Sequence, residues 1–439
     1  MKISIFGIGY VGVVSAACLA KDGHDVIAVD VDPGKVNAIN EGKTPIVEEG
    51  IGELVAEVVA AGRLTATTDT AEAIANTDAS FICVGTPSAP DGSVGLTYVE
   101  DVCRNIGAAL KDKDTYHSVV VRSTVVPGST ETCCIPVLEE CSGKIAGVGF
   151  GLGYYPEFLR ESTAIQDNYN PGLIVFGYMD QGTKDILTAL NDHLPCEINK
   201  VDIRTAEMIK YTSNAWRAVK VTFANEIGNI AKASGIDGQT VMEVLCSDDK
   251  VAMSPYFMRP GFAFGGSCLP KDVRALRFLA ESTGTKAHVL DAVLRANEAQ
   301  IARAEDMIAA SGAKKVGFVG ISFKPGTDDL RESPLIALAS RLIKRGIEVD
   351  IYDPFVSEAF DEGTPGAGRG NEGVPDLEER LVGNLDELIE NSGAVLVGNY
   401  YHNTIEKLKA AAGKRPVVDL TRLHRDLKSG DGQYEGICW

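Results

Sequence analysis

A glycine-rich segment past the middle of the chain holds the residue best suited to covalent chemistry. Residues 259–272 read RPGFAFGGSCLPKD, with Cys268 near the centre. The glycines leave the backbone open to a ligand, and the charges of Lys271 and Arg259 favour the thiolate form of the cysteine. A single cysteine is more often an inert core residue. The cationic neighbours and the glycines favour a reactive thiol here.

Two further groups of side chains are spaced for chemistry on one ligand. Lys210, Asn214 and Arg217 follow each other at four and three residues, on the polar side of a predicted helix. Spacing alone favours a solvated helix face, but an asparagine beside a lysine can stabilise an oxyanion. Glu157 and Glu161, in the segment PEFLRE, could serve as a general base and a hydroxyl binder or open a solvated helix.

The first residues of the chain carry a dinucleotide fingerprint. The run GIGYVG at 7–12 follows a predicted strand, where Gly7 makes the turn, Gly9 admits the pyrophosphate and Gly12 packs helix on strand. Asp30 ends the next strand, where a carboxylate binds ribose hydroxyls and repels a 2′-phosphate, so NAD is favoured over NADP. A later strand and turn, GISFK at 320–324, lacks this spacing, which indicates a different ligand for that domain.

The elements that position these residues alternate strand and helix twice. Predicted strands lie at Ile3–Phe6, Asp25–Val29, Ala79–Val84, Ser118–Val121, Lys315–Val319, Glu348–Tyr352, Gly393–Val397 and Pro416–Leu420. The fold class is therefore α/β, with two Rossmann-like doubly wound domains joined by a long central helix and a helical middle region. More helix is expected from Ala287 to Ala310.

The long helix has an apolar stripe that leaves two interpretations open. Its members recur every three or four residues: Ile209, Thr212, Trp216, Val219, Phe223, Ile227 and Ile230. The stripe could be buried in the core of one subunit or cover a partner subunit. A separate stretch, DEGTPGAGRGNEGVPD at 361–376, is expected to be an exposed flexible loop.

Composition disfavours several classes of partner. There are 42 Lys and Arg against 61 Asp and Glu, a formal net charge of -19, which repels nucleic acid and anionic membranes. Ten cysteines without CxxC pairs fit reduced thiols in the cytoplasm, and six histidines without ligand spacing indicate no metal site. The apolar start lacks the features of a signal peptide and is expected to be a strand.

Taken together, several motifs closely resemble the UDP-glucose and GDP-mannose dehydrogenase family. They are GIGYVG at 7–12, VGTP at 84–87, STVVPG at 123–128, PEFLRE at 156–161, FGGSCLPKD at 264–272 and FKPGTDDLRES at 323–333. The resemblance covers nearly the whole chain in order. FANEIGN at 223–229 and MRPGFAF at 258–264 look most like the GDP-mannose branch.

The resemblance implies two successive hydride transfers to NAD, which convert a sugar's primary alcohol to a uronate through a thiohemiacetal and a thioester on Cys268. Lys210 and Asn214 would stabilise oxyanions, Asp272 would orient or activate water, and Glu157 and Thr124 match positions for general-base work and water placement. By the same resemblance, the substrate-binding residues are Glu161, Lys210, Asn214, Arg217, Asn225, Tyr256, Phe257, Arg259, Phe262, Gly265 and Lys324. The cofactor-binding residues are Gly7, Gly9, Tyr10, Val11, Gly12, Asp30, Lys35, Thr86, Thr124, Lys271 and Arg331.

The resemblance also implies an organisation. An NAD-binding domain would span 1–200, a central helical domain for dimerisation and the cysteine loop 201–300, and a nucleotide-sugar-binding domain 301–439. A homodimer or dimer of dimers would form on the central helix, with Asn225 reaching a neighbour's site, and the product would feed an acidic exopolysaccharide. Tyr155 stands where the family usually has Asn, and Arg217 where GDP-mannose enzymes have His.

Three alternatives remain open at the level of sequence. The same chemistry could act on UDP-glucose or another UDP-sugar. A two-electron dehydrogenase of the hydroxy-acid type would pair a Rossmann domain with helical Lys and Asn residues and would not need Cys268. A catalytically silent NAD-sensing protein would not be expected to keep Cys268, Lys210, Asn214 and Asp272 together.

Overall fold

A computed structural model of the chain describes residues 1–233, 235–248, 259–282, 287–364 and 367–439. The chain forms two compact units, Met1–Ser213 and Asn214–Trp439. Each unit contains one sheet whose strands alternate with helices along the sequence. The predicted α/β class with two Rossmann-like sheets is confirmed.

The first unit is built on an eight-stranded sheet in the order β3-β2-β1-β4-β5-β6-β7-β8. Neighbouring strands are parallel except for β6 and β7, so that β7 and β8 both run opposite to the other six. The strands are β1 Lys2–Phe6, β2 Asp25–Val29, β3 Leu64–Thr67, β4 Ala79–Ile82, β5 Ser118–Val121, β6 Gly151–Tyr154, β7 Ile174–Tyr178 and β8 Ile198–Val201.

The helices of this unit cover both faces of the sheet. They are α1 Tyr10–Lys21, α2 Pro33–Asn40, α3 Ile51–Ala60, α4 Thr70–Asn76, α5 Thr97–Leu110, α6 Ile135–Ser142, α7 Ala164–Tyr169 and α8 Gln181–Ala189, with a π-helical turn at Thr130–Cys134 before α6. Ile3 and Ile5 of β1 belong to one apolar core and Phe6 to another. The alternation of side chains along β1 therefore feeds two cores, one on each face.

The second unit contains a five-stranded parallel sheet in the order β10-β9-β11-β12-β13. Its strands are β9 Lys315–Val319, β10 Glu348–Tyr352, β11 Ala394–Val397, β12 Val417–Asp419 and β13 Tyr434–Gly436. After α9, Ile203–Ala233, its helices are α10 Gly238–Cys246, α11 Leu269–Ser282, α12 His288–Ala310, α13 Pro334–Lys344, α14 Pro354–Asp361, α15 Leu377–Arg380, α16 Leu385–Asn391 and α17 Ile405–Ala411, with a 3-10 turn at His402–Thr404.

Helix α9 buries the face that the sequence presented as polar. The side chains of Lys210 and Asn214 are 2% and 1% exposed, so a solvated face is wrong for these two residues. Trp216 and Phe223, from the apolar stripe, are instead 54% and 45% exposed. Ala218, one turn after Asn214, is also buried and packs with Phe264 and Val273. Burial of the stripe within one subunit is therefore wrong for its two aromatic members.

The stretch 361–376 is also packed more closely than the sequence suggested. Of its described residues, Val374 is 1% exposed and belongs to the core of the second sheet. A Cβ placed on Gly373 would lie 2.9 Å from Cβ of Ser340 on α13. The prediction of a wholly exposed flexible loop is wrong for this part, because glycines let the segment dock on helices of its own domain.

Candidate active site

The nucleotide loop is shaped by glycines at the carboxyl end of β1. Gly7 has a φ of +103° and its amide donates to Val29 O at 2.7 Å. A Cβ on Gly12 would lie 1.8 Å from Gly7 O, whereas a Cβ on Gly9 would meet nothing within 4 Å. The turn therefore requires Gly12 for packing, while the space above Gly9 stays open beside the N-terminus of α1, as a pyrophosphate needs.

A carboxylate at the end of β2 faces this loop. Asp30 Oδ2 accepts from Ile8 N at 2.7 Å, and Oδ1 accepts from Asp32 N at 3.0 Å. Lys35 Nζ lies 3.4 Å from Oδ2. Two predicted cofactor residues, Asp30 and Lys35, are thus together, and the loop fixes the carboxylate that would meet ribose hydroxyls.

Tyr10 has a partner that the sequence did not indicate. Its hydroxyl donates to the buried Glu48, and burial followed by this carboxylate raises the pKa of Tyr10. Glu48 also accepts from Ser162 N at 2.6 Å and Ala164 N at 2.8 Å. Glu48 therefore joins the nucleotide loop to the segment that follows Glu161. The side chain of Glu161 is half-buried. No spacing or motif marks Glu48 in the sequence.

Thr86 and Thr124, which follow β4 and β5, lie together because Thr86 Oγ1 donates to Thr124 O at 2.8 Å. The loop that carries Thr124 is held from α9 by Glu207, whose carboxylate accepts from Thr130 N at 2.9 Å and from Gly128 N at 2.5 Å. Burial raises the pKa of Glu207. Sequence reasoning missed this anchor, for which only its place one turn before Lys210 gives a signal.

Lys210 and Glu157 form a buried ion pair in the first unit. Lys210 Nζ lies 2.9 Å from Glu157 Oε1 and 2.6 Å from the Glu157 carbonyl oxygen, while Oε2 accepts from Leu159 N at 2.7 Å. Burial opposes ionisation, yet Lys210 beside the carboxylate holds the pKa of Glu157 below its usual value. The pair therefore fixes an ammonium group that can stabilise an oxyanion.

Cys268 is exposed and lies directly before helix α11 in the second unit. Its sulfur is 3.7 Å from Ser267 Oγ. A helix N-terminus favours the thiolate form of a cysteine. Of the two expected cations, Lys271 Nζ lies 3.1 Å from Asp272 Oδ1, and Arg259 is exposed. The thiol is thus open to a ligand.

The second unit buries a polar pair behind this loop. Asn214 on α9 donates through Nδ2 to Asp272 Oδ2, and Asp272 is 1% exposed. Asp272 N in turn donates to Cys268 O at 2.9 Å. Three predicted catalytic residues, Asn214, Asp272 and Cys268, are therefore brought together by side-chain and backbone hydrogen bonds.

Two amides hold the backbone of the cysteine loop from neighbouring helices. Asn225 accepts from Gly261 N at 2.7 Å and donates to Phe262 O at 3.0 Å. Asn297 on α12 accepts from Phe264 N at 2.8 Å and donates to Phe264 O at 2.9 Å. Asn225 thus supports the loop of its own chain. Sequence reasoning missed Asn297, whose signal is an amide in the middle of a helix that packs on the core.

The remaining predicted binding residues lie outside the hydrogen-bonded groups described for Asp30, Lys210 and Cys268. Arg331 is exposed and pairs with Asp329, with Nη2 2.6 Å from Oδ2, and Lys324 Nζ lies 5.7 Å from the ring of Phe323. Val11 and Arg217 are half-buried, each in its own unit, and Gly265 lies in the cysteine loop. Tyr256 and Phe257 lie outside the described residues.

The described residues also bear on three properties of the chain: metal binding, membrane spanning and disulfide bonding. They contain no group of three or more His, Cys, Asp or Glu arranged to hold a metal ion. None of the described helices is both long and apolar enough to span a membrane. All ten cysteines are described, and none is in a disulfide.

Three family models match the chain in order. They are the NAD binding domain at residues 1–194, the central domain at 204–299 and the UDP binding domain at 317–426, all of the UDP-glucose/GDP-mannose dehydrogenase family. Together they cover both sheets and the helices between them. The match to an NAD binding domain confirms the cofactor predicted from the glycine loop and Asp30.

Known proteins match over the full length. A GDP-mannose 6-dehydrogenase of Pseudomonas savastanoi pv. phaseolicola is 50% identical, with 100% of both chains covered. A GDP-mannose dehydrogenase of Pseudomonas aeruginosa, solved as a ternary complex, is 48% identical with a TM-score of 0.58 and full coverage of both chains. A UDP-glucose dehydrogenase from Pyrobaculum islandicum is 34% identical with a TM-score of 0.87, covering 100% of this chain and 98% of that one.

Proposed function

The chain belongs to the UDP-glucose/GDP-mannose dehydrogenase family of NAD-dependent nucleotide-sugar dehydrogenases, and from that premise we propose that it oxidises GDP-mannose to GDP-mannuronate. The resemblance inferred from its motifs is thereby confirmed. Full-length relatives at 50% and 48% identity are GDP-mannose enzymes, whereas a UDP-glucose enzyme stands at 34%. The difference supports GDP-mannose over a UDP-sugar.

The residues present fit NAD. The open space above Gly9, the packing of Gly12 on Gly7 and the fixed carboxylate of Asp30 suit a dinucleotide without a 2′-phosphate. When bound, NAD accepts a hydride in each of two oxidations. We assign the other predicted cofactor residues to its binding, with Lys271 and Arg331 offering positive charge in the second unit.

The observation that carries the proposed four-electron route is the exposed Cys268 at the N-terminus of α11. Its thiolate adds to the carbonyl carbon of the sugar aldehyde, and the carbonyl electron pair takes a proton to give a thiohemiacetal. Oxidation of that carbon gives a thioester. Attack by water then breaks the carbon–sulfur bond, which returns the thiol and leaves a carboxylate.

Neighbouring side chains have roles that match their geometry. The Lys210 ammonium, held by Glu157, and the Asn214 amide, held by Asp272, each offer hydrogen-bond donors to an oxyanion. Because its pKa is lowered, Glu157 is ionised at neutral pH and can bind the hydrogens of an attacking water. Asp272 and Thr124 are proposed to orient that water.

The proposal includes how the chain is organised. Domains at 1–200, 201–300 and 301–439 are supported by the family models, and the third is assigned to the nucleotide sugar through Lys324. The exposed Trp216 and Phe223 on α9 favour a second copy of the chain as the partner of this helix. A reduced thiol suits the cytoplasm as the compartment, and a uronate product suits an acidic exopolysaccharide.

The test is the amount of NADH formed per sugar, measured at limiting GDP-mannose and in parallel at limiting UDP-glucose. We expect about two NADH per GDP-mannose, because the thioester route removes two hydrides. Cys268→Ser is expected to abolish this turnover, and Cys196→Ser, at a half-buried cysteine in the first unit, to preserve it.

Other results would change the assignment. About two NADH from UDP-glucose alone would keep the mechanism and replace the substrate. About one NADH per sugar, unchanged by Cys268→Ser, would contradict the thioester route and favour the two-electron class of dehydrogenase.

A further inference from the structure

The glycine-rich segment at residues 367–374 is fixed to the second sheet's domain at three points. Val374 is buried in the core of that domain. A Cβ on Gly368 would lie 2.7 Å from Cζ of Phe360, and a Cβ on Gly373 would lie 2.9 Å from Cβ of Ser340. The segment therefore has a defined position against α13 and α14.

In that position the segment lies in close contact with the backbone of Leu330 and Arg331. Gly370 has a φ of +94°, and a Cβ there would lie 2.5 Å from Arg331 N, 2.6 Å from Arg331 Cα and 2.6 Å from the carbonyl carbon of Leu330. Leu330 is itself fully buried. Only glycine allows this approach, because any other residue would place an atom where the Arg331 backbone lies.

The residue after Arg331 is held in a strained conformation. Glu332 has a φ of 52°, in the left-handed region that costs a non-glycine residue about 1 kcal/mol or more. Its side chain binds Arg274, with Nη1 3.0 Å from Oε2. The next residue, Ser333, caps α13 by accepting from Leu335 N at 3.2 Å. Such a turn persists only where its surroundings determine it.

The carbonyl end of the turn contacts the cysteine loop. Gly266 N donates to Glu332 O at 3.3 Å. A Cβ on Gly265 would lie 2.4 Å from the same carbonyl oxygen. Gly266 is two residues before Cys268. The Arg331–Glu332 turn therefore contacts Gly370 through the Arg331 backbone and the loop of the reactive cysteine through the Glu332 carbonyl oxygen.

We propose that the glycine-rich segment braces the Arg331–Glu332 turn, and through it the loop of Cys268, with Gly370 as a positioning residue. The inference rests on the proposed role of Cys268 in turnover. Its physical content, that Gly370 controls the mobility of the Cys268 loop, is separate from the identity of the substrate.

The experiment compares Gly370→Ala with Gly363→Ala. Gly363 also has a positive φ, +63°, but a Cβ there would meet nothing within 4 Å, so its variant carries the backbone strain without the contact. A third variant, Gly370→Asn, adds the contact with a residue that tolerates positive φ. The readouts are the melting temperature, NADH kinetics, and the rate of Cys268 alkylation by iodoacetamide, located by mass spectrometry of the peptide.

We expect both Gly370 variants to lower kcat by about tenfold or more, because small displacements of a catalytic group have large effects on rate. Cys268 should be alkylated about threefold faster, since the loop is held less firmly. Gly363→Ala should match the wild type in both. If the Gly370 variants fail to fold, Gly373→Ala decides: its Cβ would displace the same segment while its three nearest atoms are side-chain atoms of Ser340 and Ile336, and it should also raise the rate of Cys268 alkylation.

Equal kcat and equal Cys268 alkylation in the three variants would overturn the inference. So would a lower melting temperature in the Gly370 variants with unchanged alkylation, which would make the contact merely structural. Absence of NADH formation by the wild type with GDP-mannose would instead refute the proposed function, and the alkylation comparison would still stand.

Discussion

The first strand of each sheet is followed by a turn whose backbone amide donates to an aspartate, but this aspartate has different further contacts in the two domains. In the first sheet, Ile8 N donates to Asp30 at the end of the neighbouring strand, at 2.7 Å. In the second, Ile321 N donates to Asp353 in the equivalent place, at 2.9 Å. In both domains a carboxylate at the end of one strand thus fixes the turn that follows the neighbouring strand, β1 or β9.

The two devices differ in what else the carboxylate does. Asp353 is fully buried, and it also accepts from Ser322 N at 3.3 Å and Val356 N at 3.3 Å. Asp30 keeps partial exposure and a lysine neighbour. One carboxylate is wholly used to hold its own domain together, and the other remains able to meet a ligand.

The turns also lead to different places. Helix α1 begins at Tyr10, three residues after Gly7, so its N-terminus lies at the turn. Helix α13 begins only at Pro334, well after Gly320. The intervening segment carries charged side chains and the Arg331–Glu332 turn. The same start therefore leads directly to a helix N-terminus in one domain and to a long loop in the other.

The largest effect on this contrast is expected from Gly12→Ala. The new Cβ would lie 1.8 Å from Gly7 O, which forces the helix from the strand. We expect a loss of at least about 4 kcal/mol in the free energy of unfolding, measured with urea, together with loss of NADH formation.

Gly9→Ala is the matched variant in the same loop, because its Cβ has open space. It should cost less than about 1 kcal/mol of stability. Its KM for NAD should rise by about tenfold or more, because the new methyl group would occupy the open space that the pyrophosphate needs. A tenfold rise corresponds to about 1.4 kcal/mol of binding free energy. Stability equal to wild type in Gly12→Ala would break the contrast between packing and ligand glycines.

A somewhat smaller effect is expected from Asp353→Ala. Removal of the carboxylate leaves buried donors of Ile321, Ser322 and Val356 without an acceptor, at a cost of about 3 kcal/mol or more in urea unfolding. Asp30→Ala should cost less stability, because water reaches its loop. It should instead raise KM for NAD and weaken the preference over NADP. Equal stability losses in the two variants would contradict the contrast.

The last expected effect is a difference between the two sheets in their response to acid. Burial, followed by Lys113, lowers the pKa of His117, directly before β5 of the first sheet, from 6.5 to about 4. The unfolded state therefore binds more protons between these values, and about 3 kcal/mol of stability, present above pH 6.5, is lost as the pH falls toward about 4. Burial raises the pKa of Asp419 in the second sheet, so its contribution has the opposite sign: it is present at low pH and lost as the pH rises through the raised pKa.

Hydrogen exchange at about pH 5 and about pH 7 checks this difference, after correction for the intrinsic exchange rate. First-sheet amides should lose more protection than second-sheet amides on acidification. His117→Gln, which cannot titrate, should reduce the difference. Equal losses in both sheets of the wild type would show that His117 does not govern the response.

Sequence patterns were sufficient for the parts of the molecule governed by local rules. The glycine loop at Gly7, the carboxylate Asp30 and the helix α12 follow from turn, strand and helix signals, and the structure has them where expected. Five strands, β3, β6, β7, β8 and β13, did not follow, because each is three to five residues long and is fixed by pairing with a neighbouring strand; the antiparallel direction of β7 against β6 likewise has no local signal.

The candidate site was predictable where motif and spacing combine, as for Asn214, Asp272 and Cys268. Glu48 and Asn297 were not predictable, because their function is to bind backbone groups that only the fold brings near. The burial of Lys210 was not predictable either. A helix pattern indicates which residues share a face, but not whether that face turns inward.

The exposure of Trp216 has a spectroscopic consequence. The chain contains two tryptophans, and the other, Trp439, is buried in the core of the second sheet's domain. Iodide should therefore quench the fluorescence of Trp216 and spare that of Trp439. Any partner that covers α9 would remove the quenchable fraction, so the natural emission of the chain can report assembly without a label.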